Sequence, residues 1–281
     1  MRIVGVRRSG DDRTWAAAAA TADAPVQGPL ALLCELREFW TAPRAHGESS
    51  TGVVVDAADP DIEVVAPVLP EAQVFCIGLN YEEHIDEGWF RNERRHPVPT
   101  IFGRWTRSLA MGGASVAVPV DEPGLDWEGE VVAWIGSDLH EATVEESWEA
   151  IVGYSTFNDL TARDAQRATT QFTLGKNVDR SGQIGPMVTV DECGDIRSGW
   201  KLQTRVDGEV TQEASTDQQI HDAGTTLSFI SRTVTVRTGD LLCTGTPGGV
   251  GYARDPAWLL TAGSQVEVEV AGLGRLRTPI G

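Results

Sequence analysis

From Val74 onward, short apolar runs alternate with turns rich in Gly, Pro, Asp and Asn. Short runs at this spacing are typical of β-strands in a roll or a sandwich. One helix is predicted over Thr143–Ile151, with Thr143 as N-cap and Gly153 just past the end. The predicted strands are Val74–Gly78, Ser115–Val120, Glu130–Ile135, Met187–Val190, Leu202–Val206, Thr233–Val236, Leu241–Thr244 and Val266–Val270. The sequence therefore predicts a mostly β fold with some α, an α+β class.

The N-terminal part of the chain carries no chemical motif of its own. Residues 1–68 are predicted to form a small N-terminal α/β subdomain, and residues 69–281 the main domain, because prolines punctuate the passage between them. Strands are predicted at Val4–Val6 and Val53–Val55. The Ala tract at Ala16–Ala20 and the run Leu30–Trp40 are predicted to be helical.

The charge balance excludes several classes of partner. The 281 residues include 23 Lys+Arg against 41 Asp+Glu, a formal net charge of -18. A protein that binds nucleic acids or anionic lipid surfaces needs clustered basic residues, so we expect no nucleic-acid partner and no membrane partner. The four cysteines show no CxxC spacing, which excludes a zinc ribbon and predicts reduced thiols. Asp11 and Asp12 interrupt the apolar stretch of a signal peptide, and we expect a soluble cytoplasmic protein.

The first segment with catalytic potential follows the predicted strand Val74–Gly78. His84 and Glu87 are spaced i, i+3 and share one face if the segment is helical. A carboxylate in that position orients an imidazole and raises its basicity, so the pair is a candidate dyad for activating water. The alternative interpretation is a solvated, acidic helix start.

The second segment is a series of alternating carboxylates. Asp126, Glu128 and Glu130 project from one face of a strand, where they repel one another unless a cation or protons compensate. Mg²⁺, Mn²⁺ or Ca²⁺ would compensate them with oxygen ligands. Asp159 either completes the set or caps the helix that follows it. A solvated sheet face, as predicted for Val266–Val270, is the alternative.

Two further segments have polar residues suited to binding a ligand. The helix predicted after Asp159 places Arg163 and Gln166 at i, i+3. Gly245 and the other glycines around Thr246 allow the backbone to approach a ligand, and the Thr246 N–H and hydroxyl can hold a carboxylate. The segment lacks the Lys-Ser/Thr ending of a P-loop, so we predict no nucleotide site.

Taken in this order, the segments resemble the motifs of the fumarylacetoacetate hydrolase family. The resemblance runs from about residue 73 to 280 and covers most of the chain. The matching motifs are Gly78-Leu79-Asn80-Tyr81-x-x-His84-x-x-Glu87, Asp126-x-Glu128-x-Glu130, Asn158-Asp159-x-x-Ala162-Arg163-Asp164-x-Gln166, Gly175-Lys176, and Gly239-Asp240 through Thr244-Gly245-Thr246-Pro247-x-Gly249-Val250-Gly251.

This resemblance implies a mixed β-sandwich roll, commonly a homodimer, that holds Mg²⁺ or Mn²⁺, with Ca²⁺ as a substitute in crystals. The implied metal ligands are Glu128, Glu130 and Asp159. The implied catalytic residues are His84 and Glu87, on a mobile segment that closes over substrate, and Lys176. The implied substrate contacts are Arg163, Gln166, Lys176, Thr246, Arg104 and Gly245.

The chain departs from the family pattern at two places near which substrate specificity would be set. Arg104 stands where the family often has Lys, and Met111–Ser115 replaces a Gly-Pro-Gly-Asp turn. A basic cluster after the dyad is either a solvated loop or a site for the second carboxylate of a dicarboxylic substrate. This cluster comprises Arg91, Arg94, Arg95 and His96.

The predicted activity is metal-dependent hydrolysis of a C–C bond in a 2,4-dioxo acid of the acylpyruvate or fumarylpyruvate type. His84, oriented by Glu87, would deprotonate the attacking water, and nearby cations would stabilise the enolate of pyruvate that leaves. A decarboxylase, or a keto–enol or double-bond isomerase, acting on a 2-oxo carboxylic acid is the alternative, since one fold hosts several reactions. A metal- or ligand-binding protein without catalysis is a further alternative.

Overall fold

The computed structural model describes residues 1–47, 49–88 and 97–281. The basic cluster of the sequence hypothesis, at Arg91, Arg94, Arg95 and His96, lies outside these residues. Within the described ranges the strands are β1 (Arg2–Arg8), β2 (Thr14–Ala19), β3 (Pro29–Glu35), β4 (Val54–Asp56), β5 (Ile62–Val65), β6 (Val74–Gly78), β7 (Thr100–Arg104), β8 (Leu109–Met111), β9 (Gly129–Ile135), β10 (Ile151–Asp159), β11 (Gly182–Ile184), β12 (Met187–Thr189), β13 (Lys201–Val206), β14 (Glu209–Ser215), β15 (Leu241–Cys243), β16 (Gln265–Val270) and β17 (Gly274–Pro279).

The helices are short and lie between the strands. They are α1 (Leu36–Phe39), α2 (Pro43–His46), α3 (Glu82–Glu87), α4 (Val144–Ala150), α5 (Arg163–Arg167), α6 (Thr173–Lys176), α7 (Val190–Cys193) and α8 (Ala223–Ser231). Short 3₁₀ turns lie at Thr106–Ser108, Ile196–Ser198 and Thr216–Gln218. In the ranges that the structure covers, none of the helices is long and apolar enough to cross a membrane.

One large mixed sheet forms the centre of the molecule. Its main path in the described residues runs β4-β3-β2-β1-β12-β10-β9-β15-β6-β7. The antiparallel strands β9 and β10 are buried along their whole length, as expected for strands covered on both faces. Their register pairs Gly129 with Asn158, which brings the start of β9 beside the end of β10. The α+β class predicted from the sequence is confirmed.

A second sheet packs against this end of β9 and β10. It has the order β14-β13-β16-β17. In β16, buried Val266 and Val268 alternate with the partly exposed Glu267 and Glu269, as the sequence predicted for this run. The two valines pack in one core cluster with Leu125 and Trp127. The second sheet therefore covers the segment that leads into β9.

The N-terminal residues contain more strand than the sequence predicted. The Ala tract lies in β2, and Leu30–Glu35 lies in β3; only Leu36–Phe39 of the predicted helix is helical. Ala has a high helix propensity, but β2 pairs with β1 and β3 on its two sides, and this tertiary pairing overrides the local preference. Because β1 also pairs with β12, these strands extend the main sheet.

Two predicted strands are wrong, and the predicted helix is confirmed. Ser115–Val120 and Thr233–Val236 make only isolated bridges, from Val116 to Ile280 and from Val236 to Leu139. Pro119 cannot donate to a strand ladder, and the N–H groups of Thr233 and Val234 instead bond to Ile230 O at the end of α8. Helix α4 begins after Thr143 with a complete capping box to Glu146.

Trp134 of β9 ties the N-terminal residues to the main sheet. Its fully buried ring stacks on Trp40 with the centroids 5.6 Å apart, and its Nε1 donates to Ser155 Oγ. We expect Trp134→Ala to lower the free energy of unfolding by about 3–5 kcal/mol, because it removes a large core side chain. Urea unfolding followed by circular dichroism measures this. The control is Trp105→Ala, whose ring is 56% exposed and whose loss should cost below about 0.5 kcal/mol. Similar losses in both variants would contradict this account of the core.

Candidate metal and acid–base site

Three carboxylates meet where β9 begins and β10 ends. Glu130 lies on β9, Glu128 precedes it, and Asp159 is the last residue of β10. One oxygen atom of each lies within 4.8 Å of one from each of the other two, and all three side chains are buried. The Asp159 N–H also donates to Glu128 O at 2.8 Å. The structure thus brings together the three residues that the resemblance implied as metal ligands.

Asp126 does not join this triad, although strand alternation predicted that it would. Strand β9 begins only at Gly129, and Asp126 forms an isolated bridge with Thr161. Its carboxylate accepts hydrogen bonds from Arg163 Nε at 2.7 Å and from the Gly251 N–H at 2.7 Å. Asp126 therefore anchors the glycine-rich loop beside Arg163.

Three buried cations surround the triad. Lys176 Nζ lies 2.6 Å from Glu128 Oε2 and 2.7 Å from Asp159 Oδ2. Arg104 Nε lies 2.6 Å from Asp159 Oδ1, and Arg163 Nη2 lies 2.8 Å from Glu128 Oε1. Buried charges of one sign need such partners, because burial removes their hydration. These ion pairs compensate Glu128 and Asp159.

The electrostatic surroundings of the two glutamates differ. Burial, together with the charges of Asp159 and Glu128, raises the pKa of Glu130 well above its usual value. Burial also opposes ionisation of Glu128, but Lys176 and Arg163 outweigh it and lower its pKa to about 2. Of the two glutamates, Glu130 is thus the one whose negative charge the surrounding residues compensate least.

The donor set of the triad fits a divalent cation. Carboxylate oxygens are the ligands that Mg²⁺, Mn²⁺ and Ca²⁺ prefer. Such an ion would supply a positive partner for Glu130, which among the described residues accepts a hydrogen bond from the neutral Gly245 N–H at 3.0 Å. Glu128, Glu130 and Asp159 are therefore the residues that would hold it.

Lys176 is a cation here, not a base. Burial opposes its charge, but the carboxylates of Asp159 and Glu128 outweigh the burial and raise the pKa of Lys176. An ammonium that stays protonated can stabilise negative charge on a bound oxygen. Of the catalytic roles that the resemblance could imply for Lys176, the structure therefore suits electrostatic stabilisation and not proton abstraction.

Two predicted substrate contacts have other positions in the structure. Arg104 does not line the cavity: its fully buried guanidinium lies behind Asp159 and also donates to Ser181 Oγ and Leu160 O. The five donors of an Arg fork suit this position, where the family often has Lys. The Gly245 N–H is directed at Glu130, and a φ of 89° explains the glycine. Both residues hold carboxylates of the triad in place.

His84 and Glu87 form the dyad that their spacing predicted. Both lie on α3, with His84 Nδ1 at 2.9 Å from Glu87 Oε1. An ionised carboxylate only accepts, so Nδ1 carries the proton, and Nε2 of the neutral ring keeps a lone pair. Glu87 Oε2 in turn accepts from the Gly249 N–H at 2.7 Å. The imidazole is thereby oriented as a general base.

One cavity reaches from His84 of the dyad to Glu128 of the triad. It is lined by polar residues that the sequence singled out: His84, Glu128, Arg163, Gln166, Lys176 and Thr246. Part of the remaining wall is apolar, with Ile77, Phe102, Phe172 and Val250. Arg167 and Tyr252 also line the cavity, and the sequence analysis did not single them out. For Arg167 the signal was its i, i+4 spacing from Arg163 on one short helix.

Comparison with known proteins places this arrangement in a family. Residues 73–281 match the family described as fumarylacetoacetate (FAA) hydrolase C-terminal. A mitochondrial oxaloacetate tautomerase from Xenopus laevis is 31% identical over 260 residues, which cover 89% of this chain and 79% of the relative.

Solved structures share most or all of the fold. A 2-hydroxyhepta-2,4-diene-1,7-dioate isomerase from Mycobacterium marinum superposes with a TM-score of 0.76 at 28% identity, covering 100% of this chain and 98% of the other. A fumarylpyruvate hydrolase from Pseudomonas aeruginosa, in complex with Mn²⁺ and pyruvate, has a TM-score of 0.67 at 31% identity, covering 78% of this chain and 91% of the other. The chain belongs to the fumarylacetoacetate hydrolase family, which includes tautomerases, isomerases and hydrolases.

Proposed function

We propose that this chain is a divalent-metal-dependent tautomerase or isomerase of a 2-oxo carboxylic acid. The observation that carries the proposal is that one cavity is lined both by Glu128 of the buried carboxylate triad and by His84, which Glu87 orients. Relatives described as an oxaloacetate tautomerase and a dioate isomerase favour proton transfer as the reaction. The hydrolysis expected from the sequence is the second candidate.

The triad suits a substrate that presents two oxygens from adjacent carbons. A divalent cation on Glu128, Glu130 and Asp159 would supply a Lewis acid for the 2-oxo carboxylate of the substrate. Lys176 and Arg163 lie on the same wall, where their fixed positive charges stabilise the negative charge that develops on substrate oxygen. The chain thus brings preorganised charge to the site where an enolate forms.

The dyad supplies the proton transfer. His84 Nε2 takes a proton from the carbon next to the 2-oxo group. The electron pair of that C–H bond forms a C=C bond, and the π pair of the carbonyl moves to the oxygen. The same imidazolium then returns the proton to the oxygen, so keto acid becomes enol with no other reactant. Glu87 holds the ring and stabilises the imidazolium, and such acid–base steps contribute about 10²–10⁴-fold.

Hydrolysis of a 2,4-dioxo acid is favoured by the same dyad and by the likeness to a fumarylpyruvate hydrolase. In that reaction His84 Nε2 deprotonates a water that adds to the carbonyl at carbon four. The bond between carbons three and four then breaks, which releases a carboxylic acid and the enol of pyruvate. The two reactions differ in one observable, since only tautomerisation leaves the carbon skeleton intact.

The assay follows the ultraviolet absorbance of enol oxaloacetate with Mg²⁺ or Mn²⁺ and with excess chelator. We expect metal-dependent loss of the enol without pyruvate formation, and no enzymatic rate with chelator. His84→Gln should lower kcat by about 10²–10⁴-fold. His140→Gln, which changes an exposed imidazole, is the matched control.

Each alternative has its own outcome in this assay. Pyruvate from an acylpyruvate would support hydrolysis, and pyruvate from oxaloacetate would support decarboxylation. Equal rates for His84→Gln and His140→Gln would contradict the role of the dyad. If metal binds while no 2-oxo acid reacts, the protein is a binding protein and the proposal is wrong.

Metal binding is tested separately by titration of Mn²⁺, with the free ion measured by electron paramagnetic resonance. We expect Glu130→Gln and Asp159→Asn each to weaken Mn²⁺ binding at least about 10-fold. Replacing even a residue that only hydrogen-bonds to a metal ligand lowers metal affinity by about that much. Glu267→Gln removes a carboxylate from the surface of the second sheet and is the control. Unchanged affinity in both triad variants would show that the triad does not hold the ion.

A further inference from the structure

Two successive backbone N–H groups of the glycine-rich loop hold the carboxylate of Glu87. The Gly249 N–H donates to Glu87 Oε2 at 2.7 Å, and the Val250 N–H reaches Glu87 Oε1 at 3.4 Å. Oε1 also accepts the hydrogen bond from His84 Nδ1. Successive N–H groups of a turn form a concavity that binds an anion. The orientation of the imidazole therefore depends on the orientation of these two peptide groups.

The backbone of Gly249 does not hold this orientation by itself. Its φ of 103° is one that L side chains rarely adopt, and a Cβ at this position would lie 2.1 Å from Thr211 O. Packing against β14 thus requires a glycine, which is the residue whose backbone has the widest conformational freedom. The orientation of the peptide group between Gly249 and Val250 therefore depends on contacts from other segments.

Trp127 makes the shorter of two such contacts. Its Nε1 donates to Gly249 O at 3.1 Å, and Arg254 Nη2 donates to the same oxygen at 3.4 Å. The C=O and N–H groups of a trans peptide point in opposite directions, so Trp127 and Glu87 contact opposite sides of this peptide group. Hydrogen bonds in such a chain polarise one another, so the bond to the C=O strengthens the bond from the N–H.

The indole of Trp127 is itself held by packing. The side chain is fully buried, and its ring packs edge-on against Trp258 with the centroids 5.3 Å apart. Close packing favours a single rotamer for a large buried ring. Trp127 also directly precedes Glu128 of the triad in the chain. Its hydrogen bond to Gly249 therefore connects the segment that carries a triad carboxylate with the loop that holds the dyad.

We propose that Trp127 is a positioning residue for the His84–Glu87 dyad. Its indole N–H, together with the Arg254 guanidinium, fixes the Gly249 carbonyl and thereby the N–H groups that hold Glu87. A buried indole N–H usually finds a partner, so a hydrogen bond alone does not indicate a role. Here the partner is the residue whose own N–H binds the Glu87 carboxylate. The step from position to catalysis rests on the proposed function, because that function makes His84 the base.

The first test needs no activity. The full chain with excess Mg²⁺ is studied by NMR, with the histidine ring nitrogens labelled with ¹⁵N, at a pH where the imidazoles are neutral. His84→Gln assigns the two signals of His84. In the wild type we expect the proton on Nδ1, as the contact with Glu87 requires. In Trp127→Phe, which keeps an aromatic ring and loses the N–H, both signals should move toward the values of an imidazole with mixed tautomers.

The second test is kinetic and uses the tautomerase assay. The triad and the cations that pair with it are unchanged in Trp127→Phe, so KM should stay within about threefold. Misplacing a reacting group by about 1 Å can cost about 10²-fold in rate, so kcat should fall about 10- to 100-fold. The midpoint of urea unfolding is measured for every variant, so that a loss of stability is not mistaken for a loss of positioning.

Two further variants complete the design. Trp40 is buried, and its Nε1 donates to Pro67 O at 2.8 Å. Trp40→Phe therefore loses the same kind of ring and hydrogen bond among the N-terminal residues, and its NMR signals and kcat should equal those of the wild type. Arg254→Met removes the second donor to the loop carbonyl. It should move both readouts in the same direction as Trp127→Phe but by less, and it carries the test if Trp127→Phe does not fold.

The outcomes separate this inference from the proposed function. Unchanged His84 signals in Trp127→Phe, or an equal displacement in Trp40→Phe, would overturn the positioning role. A wild type that turns over no 2-oxo acid, while the His84 signals move as expected, would overturn the function and support the positioning role. A wild type that tautomerises oxaloacetate, with Trp127→Phe equal to it in both readouts, would overturn the positioning role alone.

Discussion

The burial of three carboxylates at the junction of β9 and β10 is the constraint on which the rest of the site depends. Each unpaired buried charge would cost several kcal/mol, so the fold must supply cations from nearby elements. β7 ends in Arg104, α5 begins with Arg163 and α6 ends in Lys176. The position of each element is thus coupled to an ion pair, and the charges of the candidate site are also structural. Removal of one partner would destabilise the fold, because it leaves the other buried charge uncompensated.

The glycine-rich loop from Gly245 to Gly251 links the separate parts of this site. Its backbone N–H groups donate to Glu130, to Glu87 and to Asp126, that is, to the triad, to the dyad and to the anchor of Arg163. Side chains are excluded where the loop packs most closely, since a Cβ at Gly251 would lie 1.9 Å from Trp258 O. One loop therefore fixes the His84–Glu87 dyad relative to the carboxylates, as the proposed proton transfer at a single substrate carbon requires.

The sequence predicted the features that depend on neighbours in the chain. The His84–Glu87 contact follows from i, i+3 spacing, and the capping box of α4 follows from Thr143 and Glu146. The residues alone left Asp159 as either a member of the carboxylate set or a helix N-cap, because its approach to Glu128 depends on strand register. The Ala tract was predicted as helix because local propensity carries no information on pairing with β1 and β3. Arg104 was predicted to contact substrate. Its burial behind Asp159 is a tertiary property that the sequence does not show.

Tautomerisation, hydrolysis and decarboxylation could all use the triad, Lys176 and the dyad. The other residues that line the cavity must therefore decide between these reactions. Hydrolysis needs a water held next to the dyad, and an ordered water needs two or more polar partners. Ile77, Phe102, Phe172 and Val250 offer none from their side chains. A water on this apolar part of the wall would have no side-chain partner, whereas polar partners such as Gln166 and Thr246 lie elsewhere in the cavity. The proposed proton transfer needs no such water, since His84 would both take and return the proton. The apolar part of the wall therefore supports the proposed rearrangement of the substrate.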